Sequence, residues 1–212
     1  MRVERGAQLQ AVDREVTWGR RDGRDTRTVV ARTTYGVGVE ELWDALTNPD
    51  RLPRWFLPVT GELRLGGRYQ LQGHAGGVIE DCAEPHRLDL TWEYGDAMSW
   101  LRVRLEPAPN GTVLELRHEA FLDDHWSRYG PGAAGLGWDM ALVALGQHLQ
   151  GASSSEMKQV EAWFTTPDGV GFLTEASDAW GTAAEAAGED PAQARAAAER
   201  ATAAYTDDQP AS

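Results

Sequence analysis

A chain of 212 residues with 42% hydrophobic content can bury one sizeable core and an appendage, and its single cysteine, Cys82, excludes an internal disulfide. The formal net charge of −13 disfavours nucleic acid as a partner, and no stretch reaches the roughly 18 apolar residues that a membrane helix needs. The N-terminal Met-Arg-Val-Glu-Arg-Gly lacks the apolar centre of a signal peptide, so a reducing cytoplasm is the expected compartment.

Residues 1–13 show no period and are expected to be loose. Glu15 to Trp18 and Thr28 to Tyr35 then flank Arg21-Asp22-Gly23-Arg24, where Asp-Gly predicts a hairpin turn. From Val39 to Phe56 the chain encodes two short helices. Leu42, Trp43 and Leu46 share one helical face, and Thr47-Asn48-Pro49 supplies a stop, a cap and a first-turn proline. Six short strands follow at 59–65, 68–73, 77–83, 87–94, 99–106 and 112–120, punctuated by Gly-Gly, Glu-Pro, Gly-Asp and Pro-Asn-Gly. That punctuation predicts an antiparallel meander.

Alternation within the strands separates a dry face from a wet one. Leu88, Leu90 and Trp92 alternate with Asp89, Thr91 and Glu93; Leu101, Val103 and Leu105 alternate with Arg102, Arg104 and Glu106. The dry face needs a cover, and the helix predicted over 136–149, with Trp138, Leu142, Leu145 and Leu149 on one side, provides it. Beyond Gly151 the composition turns alanine-rich and acidic: from Glu156 onward there are eleven acids against three bases. Helices are predicted at 156–164, 169–187 and 191–205, the last opened by Glu-Asp-Pro. Trp163, Phe164, Phe172, Leu173, Trp180 and Tyr205 give this annex enough apolar surface to dock on the core.

The expected architecture is therefore α+β: a curved antiparallel sheet wrapped around a long helix, with an extra helical annex. Its parts are an N-terminal extension with an extra strand (1–25), a main domain (26–150) and the acidic annex (151–212).

Several segments, in order, resemble the START-type (SRPBCC, helix-grip) superfamily, and within it the bacterial proteins named after the activator of the heat-shock protein 90 ATPase. The carriers are 39–47, Trp55-Phe56, Gly66-Gly67-Arg68-Tyr69, Glu84-Pro85 before Arg87-Leu88, Thr91-Trp92, Gly111-Thr112 with Leu114, Leu116 and His118, and Gly137-Trp138. The resemblance implies a cavity between sheet and long helix, used across the superfamily for binding, cyclisation or hydrolysis; fold alone does not choose among these.

On that reading the ligand-lining residues are Trp55, Phe56, Tyr69, Trp92, Trp100, His118, Trp126, Trp138 and Leu142, whose apolar faces suit a small hydrophobic or aromatic molecule. His118 is the one candidate acid or base, because it continues the inward alternation of Leu114 and Leu116. Glu80 and Asp81 sit on neighbouring strand positions, so regular pleating turns one of them inward. The histidines are scattered and no second cysteine exists, so neither a metal nor another cofactor is expected. Asp123 suits a helix cap, and the small residues of 130–137 let the long helix approach the sheet or leave room for ligand. Cys82, among acids, is a poor nucleophile.

The leading expectation is a binding domain for a small hydrophobic molecule, since no pair of reactive groups forces an enzyme. The alternatives are a co-chaperone-like interaction module, its protein partner met through the acidic annex, and a polyketide cyclase or hydrolase built on His118. The annex has two geometric options, capping the cavity mouth or extending a homodimer interface, and the sequence leaves both open.

Overall fold

The computed structural model describes residues 3–207; residues 1–2 of the N-terminal extension and 208–212 of the annex lie outside the described residues. Strands β1 (Asp13–Arg21) and β2 (Arg24–Tyr35) form the expected hairpin, longer than its sequence pattern. Asp22 and Gly23 both take positive φ, 50° and 78°, the left-handed turn whose twist matches that of the flanking strands.

Residues 5–10, read from sequence as loose, form helix α1 (Arg5–Gln10). Six residues cannot hold a helix unaided. Tertiary contacts supply what local periodicity does not: Val3 is buried, and Arg5 pairs with Glu175 and lies 4.0 Å from Asp168 on a later helix.

After β2 the chain crosses the sheet through α2 (Val39–Thr47) and a 3-10 turn at Leu52–Arg54, then runs back as a meander: β3 (Val59–Gly61), β4 (Arg68–Leu71), β5 (Gly76–Ala83), β6 (Arg87–Tyr94), β7 (Ala97–Ala108) and β8 (Gly111–Phe121). The eight strands are antiparallel throughout, in the order β1-β2-β8-β7-β6-β5-β4-β3. The strand predicted over 59–65 is cut short because 62–67 folds into a turn, exposed from 62 to 66, with Gly67 N–H bonding the Arg64 carbonyl at 2.8 Å. The same turn is tied to β5, Gly66 N–H reaching the Ile79 carbonyl at 2.8 Å.

The inner face carries Val29, Leu88, Leu90, Leu101, Val103, Leu105, Leu114 and Leu116, all buried. Burying each leucine fully contributes about 1.5–3 kcal/mol. The outer face is a lattice of arginines and carboxylates: Arg32 joins Glu15 and Glu115 at 2.8 and 2.7 Å, Arg21 joins Glu119 at 2.8 Å, and Arg104 joins Asp89.

Regular pleating breaks at one place. Ile79 pairs with Leu90 and Asp81 with Asp89, leaving Glu80 unpaired as a β-bulge. The expectation that Glu80 or Asp81 turns inward is therefore overturned: the extra residue lets both stay outside. Glu80 is exposed, and Asp81 pairs with Arg87 at 2.7 Å.

A short helix α3 (Asp124–Tyr129), capped by Asp123, precedes the long helix α4 (Gly132–Leu149), which lies across the inner face. The annex comprises α5 (Ser154–Trp163), opened by a Ser153–Glu156 capping box, α6 (Pro167–Ala186) and α7 (Pro191–Asp207), whose first amides bond Asp190. Helix α6 packs on α4, on α7 and on the inner side of β1, widening the helical layer. Phe172 and Trp180 are fully buried there.

The small residues of 130–137 do other work than expected. A Cβ on Gly132 would lie 2.7 Å from the Ala201 Cβ, and one on Gly135 would lie 2.5 Å from the Trp180 ring. They bring α4 against the annex, not against the sheet.

Candidate functional site

A cavity of about 360 Å³ lies between the inner sheet face and α4, within the range of roughly 300–1,000 Å³ usual for small-molecule sites. Trp43 and Leu46 of α2 close it from above. Leu52, Trp55 and Phe56 follow at one side, and Trp138, Ala141, Leu142 and Leu145 of α4 form the roof. The floor is the alternating inner row, from Ile79 through Leu88, Leu90, Leu101 and Leu116. Residues 59–63 border it where Thr60, Gly61, Glu62 and Leu63 are exposed, which places the mouth at that turn.

Of the nine predicted lining residues, Trp55, Phe56, Tyr69, Trp92, Trp138 and Leu142 stand in this wall. Phe56 stacks between Trp55 and Trp138, with centroids 5.4 and 6.5 Å away, and Trp92 meets Trp138 edge to face at 5.3 Å. The other three do not line it. Trp100 pairs across the ladder with Glu119 and belongs to the outer face, packed beneath Arg21 at 4.0 Å and against Phe121 at 5.2 Å. Trp126 sits on α3 and donates its indole N–H to Glu189 of the annex at 2.9 Å.

His118 faces inward but lies behind Trp92 and Trp138, 5.9 and 5.8 Å from their ring centres. Both its nitrogens are engaged. Trp138 donates to Nδ1 at 3.0 Å, which fixes the remaining proton on Nε2, 2.8 Å from Ser99 Oγ. Ser99 donates onward to the Trp92 carbonyl at 3.0 Å. Enclosure of the ring pushes its pKa down to about 4, so the imidazole is neutral across the physiological range. The acid–base role expected of His118 thus meets a ring whose two nitrogens already serve the protein.

Three more of the wall's polar side chains are likewise occupied. Trp55 donates to the Ala45 carbonyl at 3.0 Å, Tyr69 to the Thr91 carbonyl at 2.7 Å and Thr47 to the Trp43 carbonyl at 2.8 Å. Burial, with the Glu93 charge nearby, raises the Tyr69 phenol and keeps it protonated. The one carboxylate at the cavity is Glu62, exposed at the mouth and paired with Arg64 at 2.6 Å. The inward surface is mostly ring faces and aliphatic branches.

Among the described residues no group of His, Cys, Asp and Glu could hold a metal ion, and no helix is long and apolar enough to cross a membrane. Burial and the charges of Glu84 and Asp81 raise the Cys82 thiol. The annex lends no residue to this wall. Sequence reasoning missed Trp43, Leu46, Ile79 and Leu145, although the periodicities that placed their neighbours apply equally to them.

Residues 37–150 match the family model described as Activator of Hsp90 ATPase homolog 1-like protein. The chain belongs to this family. Its helix-grip architecture is shared with CalU16 from Micromonospora echinospora, 31% identical over 83% of this chain and 99% of that one, with a TM-score of 0.63. MLL2253 from Mesorhizobium loti is 26% identical, covering 60% of this chain and 99% of its own, at a TM-score of 0.55. DynU16, a protein of the dynemicin biosynthetic locus, is similar in fold at 21% identity, over 60% of this chain and 49% of its own, with a TM-score of 0.50. No curated protein matches the chain.

Proposed function

We propose that this family member is a binding domain that encloses one small, neutral, apolar or aromatic molecule between the sheet and α4. The observation that carries the reading is the pairing of an open cavity of about 360 Å³ with a largely apolar wall in which the Trp55, Tyr69 and Trp138 donors are already used by the protein. An apolar guest loses nothing on entering such a wall, whereas a charged one would be stripped of water without replacement partners. Phe56, Trp92 and Trp138 offer ring faces and edges to a flat guest.

The test is titration with a neutral solvatochromic fluorophore, comparing wild type with Ala141→Phe, which fills the roof. Saturable binding at one molecule per chain, weakened at least about tenfold by the substitution, is the expected result. Absence of saturation in the wild type, or equal affinity in the variant, would remove the proposal.

A further inference from the structure

We propose that His118 is a selectivity-setting positioning residue: without touching the guest, it accepts the indole N–H of Trp138 and so keeps that donor out of the cavity roof. This rests on the binding reading above and deepens it by naming the chemistry favoured against the roof, apolar carbon in place of a hydrogen-bond acceptor.

The argument starts from where the indole can point. Trp138 stands in the cavity roof, its ring 5.3 Å from Trp92 and 6.5 Å from Phe56. Its Nε1–H is turned out of the cavity onto His118 Nδ1 at 3.0 Å. Indole is a donor only, and a donor left unpaired in an apolar enclosure is costly. The acceptor on β8 therefore selects the ring orientation, and the orientation decides whether the roof presents carbon or N–H.

The arrangement holds only if Nδ1 stays unprotonated, and the next links secure that. Nε2–H lies 2.8 Å from Ser99 Oγ, and the serine hydroxyl bonds the Trp92 carbonyl at 3.0 Å. This chain runs from one cavity tryptophan through the imidazole to the backbone of another, Trp92. Enclosure of the ring keeps the acceptor available throughout the neutral range.

Replace His118 by leucine, and Trp138 loses its partner while its N–H becomes available to a bound carbonyl. His118→Asn restores an acceptor oxygen close to the position of Nδ1. The experiment compares naphthalene with 2-acetylnaphthalene by quenching of tryptophan emission. The ratio of the two dissociation constants is expected to move about three- to tenfold toward the ketone in His118→Leu and to return in His118→Asn. A ratio unchanged in the leucine variant would overturn the proposal, because a merely structural histidine shifts both ligands alike.

A second readout needs no ligand. The Trp138 indole N–H, assigned by its loss in Trp138→Phe, is expected to exchange slowly with water in the free wild-type protein. Exchange as fast as that of an exposed indole would also overturn the assignment. If neither naphthalene binds any variant while the indole stays protected, the binding reading fails and the positioning bond stands.

Discussion

Trp180 of α6 donates its indole N–H to Asp139 of α4 at 2.8 Å, while Arg14 of β1 reaches the same fully buried carboxylate at 2.8 Å. One turn of α4 thus faces two ways. Trp138 addresses the cavity and its neighbour Asp139 is pinned by the annex and the N-terminal strand. The extension and the annex meet the main domain through this shared charge.

Removing that charge leaves Arg14 buried without its partner, and Asp139→Ala is expected to lower stability by about 3–5 kcal/mol. Trp180→Phe, which removes a single donor, is expected to lower it by about 1–3 kcal/mol. Urea unfolding followed by circular dichroism measures both. Equal, small losses in the two variants would show that the carboxylate is not a junction.

Close approach of α4 to the annex makes Gly135 sensitive to size. With the Trp180 ring 2.5 Å from any added Cβ, Gly135→Ala is expected to cost about 1–3 kcal/mol through overpacking. Gly6 of α1 has nothing within 4 Å of a Cβ, so Gly6→Ala is expected to gain up to about 0.5–1 kcal/mol. The opposite signs are read in one thermal-denaturation series.

The two faces of the sheet separate the tryptophans by role. Trp100, held under Arg21 on the outer face, is expected to leave fluorophore affinity within about twofold of wild type when changed to phenylalanine, while losing about 0.5–2 kcal/mol of stability. Trp138→Ala, in the cavity roof, is expected to weaken binding by about tenfold or more. A binding loss at Trp100 equal to that at Trp138 would contradict this division.

His118 also predicts an acid limb. Its folded pKa of about 4 lies below the ordinary histidine value of 6.5, so the unfolded chain takes up the proton first as pH falls. Above pH 6.5 this group is neutral in both states and contributes no pH dependence. Between about 6.5 and 4 stability declines, by about 3 kcal/mol in total, and below 4 the contribution levels off. His118→Asn is expected to flatten that part of the stability–pH curve, measured by denaturant midpoints in matched buffers.

Much of this was legible in the chain. Period-2 alternation placed Leu88, Leu90, Leu101, Val103, Leu114 and Leu116 on one face, and that face is the cavity floor. The same alternation puts Trp100 out of phase with Leu101 and Val103, so parity, followed strictly, excludes it from the lining; aromatic character alone did not. Trp126 was not placeable, because its partner Glu189 is fixed by docking of distant helices. Helix α1 and the glycine contacts of α4 were hidden for the same reason: both depend on tertiary packing and leave no local period. The occupied nitrogens of His118 come from Trp138 and Ser99, neighbours only across the fold.

The bulge at Glu80 separates the inner pattern of β5 from its curvature. Were this single residue absent, Ile79, Asp81 and Cys82 would keep their present sides along an unbroken ladder, and what would vanish is the local bend. Loss of Ile79, in contrast, would put the Glu80 carboxylate at the inward position opposite Leu90. Position 80 is therefore where β5, tied at Ile79 to the mouth turn, can be straightened without changing which of its side chains face the interior.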